Sequence, residues 1–145
     1  MTDNFTSTFS GSLKEIIQSK HFKNRSNVIH TLFKEIISII ENVFSDELSI
    51  IKLSYTGDYI AFYRMDGPQK RIFLTLKAKR DRATKQEIFH ASVKVSDEIR
   101  RNEFDLKKRT KKNRIPWGEF SFGTIDEFES KINAIRYSFK MCIKT

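Results

Sequence analysis

The stretch from Leu48 to Ala78 constrains the fold more than any other: three short apolar-rich segments separated by two turn signals. Leu48–Tyr55 is followed by Thr56-Gly57-Asp58, where glycine supplies the positive φ of a tight hairpin. Tyr59–Met65 runs into Asp66-Gly67-Pro68-Gln69, whose proline has no amide hydrogen for a central ladder. In Lys70–Lys77, Ile72, Leu74 and Leu76 alternate with Arg71, Phe73, Thr75 and Lys77, the period of a strand with one buried face. The expectation is an antiparallel meander with one face in need of a cover, leaving side chains such as Tyr63 and Phe73 exposed on the other.

Two amphipathic helices supply the cover. Ser26 or Asn27 caps a segment of about 28–44 in which Val28/Ile29, Leu32/Phe33, Ile36/Ile37, Ile39/Ile40 and Val43/Phe44 recur every three to four residues. Thr124 and Glu127 form a reciprocal capping box, and Ile125, Phe128, Ile132, Ile135, Phe139 and Cys142 or Ile143 continue a helix of about 125–142. A weaker helical turn lies at 13–20. The predicted fold class is α+β: two layers, an antiparallel sheet of four to five strands with both long helices on one face. Residues 1–12 read as a flexible tail and 13–145 as one domain, a size that 145 residues can give a real core.

The region 80–114 reads as a basic insertion. Arg80–Ile88 suits a helical turn, Phe89–Val95 a fourth strand, Asp97–Phe104 a further helix, and Asp105–Arg114 an exposed loop; Trp117–Phe122 forms a last strand. The charge is concentrated here. The net +9 of the chain includes fourteen Lys/Arg and six Asp/Glu between Lys77 and Arg114, so nearly all the excess lies in that window. Such a field favours a polyanion. Lys107, Lys108, Arg109, Lys111, Lys112 and Arg114 can neutralise successive phosphates. Trp117 is either an anchor for the last strand or a platform for an unpaired base.

The remaining chemistry is sparse. His21, His30 and His90 do not have metal-site spacing, and Glu87-Ile-Phe-His90 is one half of a di-iron pattern that has no second copy. A restriction-type nuclease needs a second carboxylate where Thr75-Leu-Lys77 has threonine beside Asp58. Cys142 falls late in a helix, where the dipole disfavours a thiolate. No cofactor is expected. One cysteine, no signal-peptide layout and no apolar run of about 20 residues lead to an expected cytoplasmic location without a membrane partner.

Asp58-Tyr-Ile-Ala-Phe62, Pro68-Gln-Lys-Arg-Ile-Phe-Leu-Thr-Leu-Lys77, Trp117-Gly118 and the closing helix from Ile125 to Phe139 resemble a small bacterial and archaeal domain of unknown function. That domain is labelled a predicted transport protein and is sometimes C-terminal in restriction-endonuclease-like proteins. The resemblance covers about 28–79 and 115–140. It implies Gln69, Lys70, Arg71 and Trp117 as the matching polar and aromatic positions. The leading expectation is a non-enzymatic module binding DNA or RNA through Lys70, Arg71, the 107–114 cations and Trp117, as an accessory to a defence or DNA-processing system. The alternatives are a protein-interaction module with an acidic partner or a homodimer, and a cryptic nuclease-related enzyme.

Overall fold

A computed structural model describes residues 9–19, 22–55, 59–95, 104, 106–108 and 117–142. Its elements are α1 (Ser10–Ile17), α2 (Asn27–Val43), a 3₁₀ turn (Leu48–Ile50), β1 (Ile51–Tyr55), β2 (Ile60–Arg64), β3 (Arg71–Arg80), β4 (Glu87–Lys94), β5 (Lys107–Lys108), β6 (Trp117–Phe122), α3 (Ile125–Glu129) and α4 (Ile132–Met141). The strands form one antiparallel sheet in the order β1-β2-β3-β4-β6-β5. This is the expected α+β fold with helices packed against the sheet.

The anticipated caps form as chemistry dictates. The Ser26 hydroxyl accepts from the Ile29 amide, and Thr124 and Glu127 complete a reciprocal capping box. The closing helix, read as continuous, is broken at Ser130–Lys131. The Ser130 hydroxyl donates to the Glu127 carbonyl at 2.6 Å, taking an acceptor that a continuing helix would need. Leu48–Ile50 is a 3₁₀ turn rather than the start of a strand. The helical turn read over Arg80–Ile88 shrinks to Asp81–Lys85, closed by the Lys85 amide donating to the Asp81 carbonyl at 2.9 Å, because β3 continues to Arg80, which pairs with Glu87 at the head of β4. α1 begins at Ser10, inside the stretch read as tail, because Phe9 and Leu13 are buried in the core. The helix expected over 97–104 falls mostly outside the described residues.

Cross-strand register assigns every strand residue to a face. Leu53, Phe62, Leu74 and Val93 form one row, and Ile60, Leu76, Ala91 and Phe120 the next. These belong to a single core cluster with Ile29, Phe33, Ile36 and Ile40 of α2 and Ile135 and Phe139 of α4. The helices therefore cover this face. Fully burying each such large side chain contributes about 1.5–3 kcal/mol.

The alternation read in β3 is interrupted. Phe62 pairs with Leu74 while Tyr63 pairs with Ile72, so Phe73 is an extra, bulged residue. The bulge turns Phe73 to the same side as Leu74. Both are fully buried, with Phe73 against Phe44, Phe62 and Phe139. Ile72 is left on the row of Tyr63. Phe73 is thus a core residue, not an exposed aromatic, and Tyr63 is also buried, at 7% exposed.

Candidate nucleic-acid interface

The second face of the sheet is built from the residues between the core positions. Lys52 lies between Ile51 and Leu53, Lys77 and Lys79 follow Leu76 and Ala78, and Lys94 follows Val93. One row runs Thr75, Ser92, Glu119 and Lys107; the next runs Lys77, His90 and Ser121. This face carries five lysines and one carboxylate among the described strand residues. Its centre, Ala61, Tyr63 and Ser92, is buried, and Lys52, Lys77, Lys79 and Lys107 are exposed around it. From β1 to β5 the array spans about 24 Å at the usual strand spacing.

The lone carboxylate is not isolated. Glu119 lies 3.4 Å from His90 Nε2, and His90 Nδ1 is 2.9 Å from the Ser121 hydroxyl. Glu87, three residues before His90, belongs to the opposite face. Its carboxylate accepts from the Ser26 amide and the Arg25 guanidinium at 2.5 and 2.9 Å. Burial pushes the Glu87 carboxyl up, but these bonds outweigh it and hold the group below its ordinary value. Glu87 and His90 therefore diverge across the sheet and do not form a joint ligand pair.

Lys70 and Arg71 are separated by the strand. Lys70 Nζ lies 4.8 Å from the centroid of the Tyr63 ring, on the second face. Arg71 stands opposite Arg64, on the helix-covered side. Arg71 therefore leaves the expected cationic set, because neighbouring residues of a strand point to opposite faces.

Lys107 faces Glu119, and Lys108 stands opposite Gly118 in β5. Two contacts hold this short strand. Leu106 is buried over Gly118, where an added Cβ would meet Leu106 Cδ1 at 2.7 Å. Just upstream, Lys131 Nζ donates to the Phe104 carbonyl at 3.0 Å, and the Phe104 and Tyr137 rings are 5.6 Å apart. Arg109, Lys111, Lys112 and Arg114 lie outside the described residues. Their segment connects Lys108 to Trp117, and Trp117 opens β6 opposite Lys94. It thus joins the sheet at the end where β2 and β4 finish and β3 begins, the end that carries Lys70.

Sequence reasoning identified the charge window but missed the face. The signal was present: Lys52 between two core residues, Lys77 and Lys79 at period two, and Lys94 between Val93 and Val95. Cys142 is buried, its Sγ 3.5 Å from the Ile72 carbonyl. Burial pushes its thiol up, which Lys94, Arg64 and Arg71 only partly offset, so the neutral form is favoured. Asp58 is outside the described residues. Among the described residues no helix is long and apolar enough to cross a membrane.

Comparison with family models, with curated proteins and with solved structures found no match for this chain.

Proposed function

We propose that this protein is a non-enzymatic module that binds the phosphate backbone of DNA or RNA through the second face of its sheet and the basic connection from β5 to β6. One observation carries the reading: five lysines from four strands converge on the face away from the helices, against one carboxylate among the described strand residues. Cations gathered on one face have no packing role. They gain free energy by releasing counterions from a polyanion. The hydroxyls of Thr75 and Ser121 on the same face add neutral donors suited to phosphate oxygens. An accessory role in a defence or DNA-processing system follows from the partial resemblance to the small domain of restriction-endonuclease-like proteins.

The test is fluorescence anisotropy with labelled duplex DNA, single-stranded DNA and single-stranded RNA across a salt series. Five phosphate contacts give a log–log slope of about −4.5 on duplex and about −3.5 on single strands. Replacing Lys107, Lys108, Arg109, Lys111 and Lys112 together by alanine is expected to weaken binding strongly and flatten the salt slope with the fold intact, and adding Lys52→Ala, Lys77→Ala and Lys79→Ala is expected to abolish it. Absence of binding to all three at low salt would refute the reading and point instead to an acidic protein partner.

A further inference from the structure

An open groove lies on the helix-covered side, between the end of α2 and α4, and takes no part in the interface above. It encloses about 300 Å3, the lower end of the range for small-molecule sites. Val43, Phe44 and Phe139 give it an apolar wall, and Arg64, Arg136, Lys140 and Glu47 supply its charges.

Arg64 is the unusual member. Its side chain is only 11% exposed, although it carries a permanent charge. Nε and one terminal nitrogen donate to the two Asp66 oxygens at 2.8 and 3.0 Å, and the other terminal nitrogen donates to the Phe139 carbonyl at 3.0 Å. Cζ stands 4.2 Å from the centroid of the Phe139 ring. These contacts occupy three of the five N–H groups of a guanidinium, leaving one on each terminal nitrogen. The group is therefore fixed in orientation with donors to spare, so a ligand need not order it. Arg136 and Lys140 are exposed one helical turn apart on α4 and extend the positive lip.

We propose that this groove binds a small organic carboxylate with an apolar body, of the size of a medium-chain acyl acid. The carboxylate meets Arg64, Arg136 and Lys140, and the body lies on Val43, Phe44 and Phe139. Asp66 already takes the bidentate fork of Arg64, so a ligand carboxylate accepts from the N–H groups left on the terminal nitrogens and from the exposed Arg136 and Lys140. Glu47 on the same groove repels a doubly charged phosphate ester more strongly than a singly charged carboxylate. The wall of phenylalanine and valine has no hydrogen-bonding group, so it selects an apolar tail. The proposal is independent of nucleic-acid binding.

The experiment is a titration of the 15N-labelled full chain with octanoate, followed by amide NMR shifts. Saturable shifts are expected at Phe44, Phe139 and Lys140, with a Kd on the order of 1 mM for so small a ligand. Octanol, which has the tail without the charge, and inorganic phosphate, which has charge without a tail, are each expected to bind at least about tenfold more weakly. The double variant Arg136→Glu/Lys140→Glu changes only exposed side chains and is expected to weaken octanoate by about tenfold or more. The same spectra report its fold; should that variant lose dispersion, Arg136→Gln/Lys140→Gln is used and a smaller loss is expected. Shifts that do not saturate, that map outside the groove, that octanol reproduces, or that the charge variants leave unchanged would overturn the proposal.

Discussion

Ser138 → Ala is the substitution whose cost the structure determines most directly. Ser138 is fully buried on the apolar stripe of α4, next to Phe139. The β3–β4 ladder ends at Leu74 opposite Val93, and its next pair would be Phe73 with Lys94. There the Ser138 hydroxyl enters the ladder, accepting from the Lys94 amide at 2.8 Å and donating to the Phe73 carbonyl at 2.6 Å. A helix side chain thus replaces the direct strand bond that the Phe73 bulge displaces. Alanine removes both bonds and leaves a buried carbonyl and a half-buried amide unpaired. At about 1–3 kcal/mol for each stranded group, and taking the amide near the low end, the loss is about 3 kcal/mol. For a chain of this length that corresponds to a fall in Tm of about 6–12 °C. Urea unfolding followed by far-UV circular dichroism measures it. A loss below about 1 kcal/mol would show that β3 and β4 close and bond directly, and that packing of Phe73 against Phe44 and Phe139 does not hold the bulge open.

Gly118→Ala forces a Cβ to 2.7 Å from Leu106 Cδ1 and 2.8 Å from Val95 Cγ2, and overpacking of this kind costs about 1–3 kcal/mol. Since Leu106 anchors Lys107, nucleic-acid affinity should fall along with stability, and adding Leu106→Ala should make the two losses less than additive in a double-mutant cycle. The lowered pKa of Glu87 means that its ionised form favours the fold: the contribution is complete above the unfolded value of about 4.3 and is lost as pH falls through the lower folded value. Glu87→Gln should therefore cost about 1 kcal/mol at neutral pH and flatten the acid limb of a stability–pH curve; an unchanged acid limb would remove the Ser26–Arg25 contacts as the cause. Replacing Lys77 and Lys79 by alanine should reduce the duplex salt slope by about 1.8, and an unaltered slope would take β3 out of the interface.

What the sequence determined by itself was local. The two amphipathic helices, the capping box at Thr124 and Glu127, the antiparallel pairing of β1 with β2 and the α+β class all follow from periodicity and side-chain chemistry within a few residues, while the turn expected at Thr56-Gly57-Asp58 lies outside the described residues. The concentration of positive charge after Lys77 was equally legible, since charge is a property of residue type. The tertiary structure decided what depends on register. A one-residue bulge at Phe73 moved an apparent surface aromatic into the core, because strand faces alternate and an extra residue inverts the alternation beyond it. Register likewise sent Lys70 and Arg71 to opposite faces and brought Lys52, Lys77, Lys79, Lys94 and Lys107 together from distant positions. Ser138, Gly118 and Arg64 acquired their roles from partners 12 to 75 residues away. Periodicity along the chain carries no record of those distances; only the pairing of strands and the packing of α4 against them sets them.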